Sequence, residues 1–252
     1  LLLAISIQQY FYHQNKEYSP LYPLQMENEI TNPVDLLDQN GHIIKEGWAR
    51  RPFWHYERSK IKDSSKLRTK EWDYYAVLSQ KHKFGIAATI SDLNYGALFA
   101  LTYIDLENGT TTQIDTMEFF TFGRVNLSSK SNTNNIVKFS NKDFSIYFER
   151  RSETRIVTIA APNMKIKGKS ERIGLWANFS LIQPESLESM NIATSWKEDR
   201  SCFYLNEKVT GMKTYGTIKV GETSTNINSE DDDTFSVLDW GRGKWTYQNR
   251  WF

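Results

Sequence analysis

Near the end of this 252-residue sequence runs Asp239-Trp240-Gly241-Arg242-Gly243-Lys244-Trp245, with Tyr247 close behind. A carboxylate, a guanidinium and two indoles in so short a stretch carry two readings. In the first they form a packed corner. Gly241 and Gly243 permit a tight bend or bulge, Asp239 meets Arg242 or loop amides, and Trp240 and Trp245 fill a seam between structural units. In the second they line a pocket at a barrel mouth or domain junction. Trp240, Trp245 and Tyr247 are then apolar walls, Arg242 orients a ligand's polar group, and Asp239 donates a proton. Both readings make Asp239 and Arg242 neighbours, and the two can coexist.

Two further clusters carry chemistry. Glu71-Trp72-Asp73-Tyr74-Tyr75 places Glu71, Asp73 and Tyr75 on one face of a strand, with Trp72 and Tyr74 on the other. On an inner face, two carboxylates and a phenol make an acid/base set with Glu71 as a catalytic candidate, and Trp72 and Tyr74 belong to the aromatic walls. On an outer face the carboxylates are merely wet. In Arg50-Arg51-Pro52-Phe53-Trp54, arginines stacked on aromatics make a structural strap. Alternatively, Arg51 grips a carboxylate or phosphate head beside Trp54. Asp92 is read as a turn cap.

The elements that must position these residues are strands. Phe144, Ile146 and Phe148 alternate with Ser145, Tyr147 and Glu149, the period of a strand. Short apolar runs recur from Glu71 onward between turn signals. Asn40-Gly41 and Val220-Gly221-Glu222 mark hairpins. The best helical segment, "PESLESMNIATSW", is short. The expected fold is all-β, an antiparallel barrel or sandwich, with successive strands as neighbours.

Composition bounds the function. Basic and acidic residues number 31 and 30, giving a net charge of +1, so nothing points to nucleic acid. No apolar run reaches the roughly 20 residues a transmembrane helix needs. The lone Cys202 forms no internal disulfide, fits a reducing cytoplasmic compartment, and reads as a buried residue rather than a nucleophile. The four histidines lack metal-ligand spacing, and the acid run Glu230 to Asp233 reads as a solvated loop. With no phosphate loop or dinucleotide fingerprint either, neither metal nor cofactor is expected.

"PVDLLDQNGHIIKEGWARRPFWHY", "KEWDYYAVLS", "ATISDLNYGALFALTYIDLENG" and "SVLDWGRGKWTY" together resemble the domain of unknown function 2804 family, from near Met26 onward. A more distant resemblance is to the hydroxyneurosporene synthase and AttH group, which use paired lipocalin-like β-barrels. There a Gly-Thr-Ile-type hairpin precedes a strand ending in Asp, His, an acidic residue, Trp and Gly. The corresponding stretches here begin at Gly216 and end at Gly241, with Leu238 where that group places a His. The loss of that His argues against a hydration mechanism built on it.

These resemblances imply the first part of a two-barrel protein, whose terminal aromatics (Trp251-Phe252) pack against a C-terminal β region that the sequence lacks. Residues 1–25 are expected to be a non-native or disordered extension ahead of one domain, 26–252. The implied function is binding of a hydrophobic small molecule, lipid or isoprenoid-like. The alternative is a cyclase, isomerase or hydratase using Asp239 or Glu71 as proton donor.

Overall fold

The computed structural model describes residues 28–64, 66–168, 172–196 and 199–246. The expected extension at 1–25, Tyr247 and the Trp251-Phe252 end lie outside these residues.

The expected all-β architecture is present as one curled antiparallel sheet, a half-barrel. Its hydrogen-bonded order is β7 (Thr110–Phe119), β6 (Gly96–Asp105), β5 (Phe84–Asp92), β4 (Thr69–Ser79), β15 (Thr234–Lys244), β13 (Phe203–Val220), β11 (Arg172–Ile182), β10 (Thr154–Ile166), β9 (Ser145–Arg151) and β8 (Asn135–Ser140). Short strands β12 (Met190–Ser195) and β14 (Thr223–Asn228) pair with different halves of β13, and β2 (Gly47–Ala49) pairs with β12. β1 (Val34–Asp35) and β3 (Trp54–His55) form a separate parallel pair.

Alternation along the strands builds the core. Phe99 of β6 stacks on Phe139 of β8 at 3.8 Å between ring centroids, and Tyr75 of β4 meets Phe148 of β9 at 4.6 Å. The two ends of the sheet therefore face each other across a shared apolar interior. Both hairpin signals hold. At Asn40-Gly41 the chain reverses between the bridged Leu37 and Ile43, and Gly221 takes φ +58° in the two-residue turn joining Val220 to Thr223.

Three expectations are corrected. The segment read as helical contains strand β12, because Asn191 and Ala193 face inward and the backbone is claimed on both sides by β13 and β2. The acid run is solvated at Glu230, Asp231 and Asp233 but is not a plain loop. Ser229–Asp232 form a short helix capped by Asn228, and Asp232 is buried against Lys81 and His82. Nor do Gly241 and Gly243 make a bend. β15 runs through them in unbroken register with β4. Gly241 answers a different need: a Cβ there would sit 2.0 Å from the indole of Trp72, which lies flat across that strand.

Two outcomes follow. Gly241→Ala should cost about 1–3 kcal/mol of unfolding free energy through this clash, and much of that penalty should vanish in a Trp72→Ala background, as urea melts of the four-member cycle would show. Asp232 is held at about 2 on the pH scale, first by the Asn228 amide and then, against the cost of burial, by Lys81 and His82. A depressed carboxyl stabilises above its unfolded value near ~3.9 and loses that contribution as pH falls towards the folded value. Asp232→Asn should therefore be less stable at neutral pH, and the gap should close as melts are taken from pH 5 down to 2.

Candidate functional site

Strand register decides which charges meet. β4 turns Glu71, Asp73 and Tyr75 inward and leaves Trp72 and Tyr74 half-buried outside. β15 turns Leu238, Trp240 and Arg242 inward, and β13 turns Leu205 and Glu207 inward. Pairing then aligns Asp73, Trp240 and Glu207 in one cross-strand row, with Glu71, Arg242 and Leu205 in the next.

Arg242 is the largest fully buried side chain. Its Nη2 donates to Asp73 Oδ1 at 2.9 Å and to the Ser128 carbonyl at 2.7 Å. Nη1 donates to the carbonyls of Trp72 and Gly241, both at 2.8 Å, and Nε donates to Ser128 at 3.1 Å. Every donor of the guanidinium fork is thereby used. Its flat face lies 4.1 Å from the centre of the Trp240 ring.

The expected Asp239–Arg242 contact does not form. Positions three apart on a continuous strand point to opposite faces, and without the bend nothing folds them together. Asp239 accepts instead from Trp72 Nε1 at 3.0 Å and Asn206 Nδ2 at 2.7 Å, and pairs with Lys208. Around it Trp72, Tyr204 and Trp245 pack as an outer-face aromatic cluster with centroids 5.6–6.0 Å apart. Tyr74 lies on the same outer face, where burial and then Asp239 raise its phenol above the usual value.

Glu71 is inside but already engaged. It accepts from Tyr56 Oη at 2.6 Å and pairs with Arg58, which also reaches Asn94. Burial, reinforced by Glu71, holds the Tyr56 phenol well above its usual value. Asp92 caps its turn through the Asn94 amide at 2.9 Å and also takes Thr121 Oγ1 at 2.8 Å. Cys202 is buried, with its thiol pushed up to about 11 by burial and then by Asp199.

A second charged group faces the same interior from the far end of the sheet. Arg150 of β9 and Arg155 of β10 are direct cross-strand partners. Like charges placed so repel, yet both donate to one acceptor, Gln183 Oε1, at 2.7 Å. Arg155 also donates to Tyr75 Oη at 3.1 Å and to the Ser131 carbonyl at 2.9 Å. Among the described residues neither arginine makes a carboxylate ion pair, and Arg150 Nε has no hydrogen-bond partner. Burial, then Arg155, lowers the Arg150 guanidinium to about 10.

Arg242 and Arg155 together hold the loop between β7 and β8 through the carbonyls of Ser128 and Ser131. Between this loop and the strap at 51–55 runs a groove. Its outer part, about 370 Å³, is lined by Arg51, Phe53, Arg150 and Gln183 among others. Its inner part, about 60 Å³, lies against Trp54, Leu205, Asn191 and Trp240, and both parts share Pro52 and Asn132.

The sequence-predicted residues therefore divide. Arg51, Trp54 and Trp240 converge on the groove. Arg242 and Glu71 are interior, bonded groups, while Asp239, Trp72, Tyr74 and Trp245 belong to the outer face. Arg150, Arg155, Gln183 and Glu207 escaped sequence reading. Their one signal was alternation, which places Arg150 on the same face as Ile146 and Phe148. No group of three or more His, Cys, Asp or Glu among the described residues is arranged to hold a metal ion. No described helix is long and apolar enough to cross a membrane.

A family model described as Domain of unknown function (DUF2804) matches residues 27–252. No curated protein matches the sequence. Among solved structures, a protein described as AttH from Nitrosomonas europaea aligns with TM-score 0.47 and 11% identity, over 79% of this chain and 59% of its own. Kievitone hydratase from Nectria haematococca aligns with TM-score 0.37 and 12% identity, over 75% of this chain and 52% of its own. This chain thus spans under two thirds of the length of either.

Arg242→Met would strand Asp73 as a buried, unpaired carboxylate and free the Ser128 carbonyl. The expected loss is about 3–5 kcal/mol, the usual penalty for breaking a buried pair from one side. The double change Asp73→Leu with Arg242→Met should recover part of it, since no charge is then left uncompensated. Chemical denaturation of the three variants reads this directly.

Proposed function

The chain belongs to the DUF2804 family, and from the chemistry of its groove we propose that it binds a small amphipathic molecule with an anionic head and an apolar body. The observation that carries this reading is Arg150. It is buried, it lines the groove, it lies against a second guanidinium, and its Nε has no partner among the described residues. A buried cation without a carboxylate is costly, and an arriving anion removes that cost. Arg51 stands across the same groove and supplies further donors to a carboxylate or phosphate.

The body of the ligand runs inward along Trp54, Leu205 and Trp240. Its size is limited. The inner part is far smaller than the roughly 300–1,000 Å³ of a pocket that swallows a drug-sized ligand. A short chain or a single ring fits that part, with the remainder in the outer groove. In this reading Glu71 and Asp239 are structural: each already has neutral and cationic donors of its own.

The test uses 8-anilinonaphthalene-1-sulfonate, an aromatic anion whose fluorescence rises on entering an apolar site. Decanoate should displace it more effectively than decanol, which has the same chain and no charge. Arg150→Met should weaken the anionic probes about tenfold or more, the worth of a charged hydrogen bond, and should erase the preference for the acid. Equal displacement by acid and alcohol in the unaltered protein would rule out an anion-reading groove.

A further inference from the structure

Two buried polar groups on adjacent strands face the half-barrel interior with nothing bonded to them. Both carboxylate oxygens of Glu207 and the indole Nε1 of Trp240 lack hydrogen-bond partners among the described residues. Glu207 is 1% exposed and Trp240 5%. The two are direct cross-strand partners, which sets their Cβ atoms about 5 Å apart on the same face. On its other side Glu207 pairs with Asn191 of β12. Trp240, Asn191 and Leu205 all line the inner groove, so Glu207 lies in the strand register between lining residues. Asn191 offers it no donor, because its amide nitrogen is committed to Ser189 at 2.8 and 3.2 Å.

The contrast with the other interior carboxylates is chemical. Asp73 and Glu71 are each tied to a guanidinium, and Asp92 to a hydroxyl and amides. Glu207 has no such tie among the described residues. A buried carboxylate with free lone pairs destabilises a fold, and it stands directly across from an indole N–H that lacks an acceptor. Acceptor and donor are thus both left open beside a groove.

We infer that Glu207 is a general base and that the Trp240 N–H steadies the oxygen that gains charge, so that the groove catalyses a proton shift in small β,γ-unsaturated carbonyl compounds, bringing their double bond into conjugation. The carboxylate takes a proton from the carbon next to the carbonyl. The C–H electron pair moves into an enolate, whose oxygen accepts the Trp240 N–H. The same carboxylic acid then returns the proton further along the conjugated system, and the double bond has moved. Atoms balance within one molecule, so no co-reactant is needed. The inference rests on the binding reading of the groove, with an anionic substituent of the substrate held by Arg150.

The probe is 5-nitrobenzisoxazole, a small aromatic carbon acid. Loss of its C3 proton to a base forms the nitrile, breaks the N–O bond and leaves a coloured phenolate. The protein should accelerate this reaction over buffer, with slower turnover when C3 carries deuterium. Glu207→Gln should lose at least about a hundredfold of the enzymatic rate, the usual worth of a positioned base. Trp240→Phe keeps the ring, removes the N–H and should also slow the reaction. Thermal melts serve as the folding control, and the melting transition should persist in the variants. If Glu207→Gln does not fold, the Trp240→Phe comparison decides alone. Sulfonate binding without acceleration, or acceleration unchanged in a folded Glu207→Gln or Trp240→Phe variant, overturns the catalytic inference and leaves the groove intact. A wild-type protein that binds no sulfonate overturns the groove reading itself and the catalytic inference with it.

Discussion

A guanidinium cannot be left bare inside a protein, and Arg242 sits fully buried in the middle of a β-sheet. That constraint organises much of what surrounds it. Its hydrogen bonds require Asp73 on the neighbouring strand to face inward, which sets the register and facing of β4 against β15. They hold the Ser128 carbonyl, so a loop that is polar in sequence becomes a wall of the groove. They also bring the charged plane over Trp240 and hold that indole beside the groove. A one-residue slip would exchange the two faces of the sheet and leave the arginine without its counter-ion.

The two faces of this sheet do different work with similar residue types. Outside, Asp239 is the centre of a small network in which Trp72, Asn206 and Lys208 satisfy a half-exposed carboxylate. The flat packing of Trp72 is possible because position 241 has no side chain. Inside, charges are packed among phenylalanines and isoleucines, where each needs a named partner or it weakens the fold. Arg242, Asp73 and Glu71 have theirs. The Arg150–Arg155 pair donates to the Gln183 amide, the Ser131 carbonyl and the Tyr75 hydroxyl, but among the described residues Arg150 Nε and both Glu207 carboxylate oxygens have no hydrogen-bond partner. The proposed ligand groove rests on this uneven satisfaction.

The fold class was legible in the sequence because it depends on local pattern. Alternation through Phe144, Ile146 and Phe148 requires a strand with one apolar face, and Asn40-Gly41 and Val220-Gly221 suit turns that few other residues accept. The same alternation put Glu71, Asp73 and Tyr75 on one side. The placing of Arg51, Trp54 and Trp240 along one groove, by contrast, comes from two segments distant in sequence, the strap at 51–55 and β15.

Long-range pairing decided the rest. Whether Glu71 and Asp73 faced water or core depended on which face the curled sheet enclosed, a property of all its strands together. Asp239 and Arg242, three apart in a phrase that reads as one motif, were separated because β15 stays extended through its glycines. The reason Gly241 is small lies in the ring of Trp72, far away in the chain, whereas Gly243 makes room for the Phe203 carbonyl and the Trp245 indole. Arg150, Arg155, Gln183 and Glu207 are unremarkable in sequence, spread over four segments. Antiparallel register sets Arg150 opposite Arg155 and Glu207 opposite Trp240. A sequence determines which residues can alternate, turn and bury. Which buried charge finds a partner, and which is left open, is settled only when distant strands come side by side.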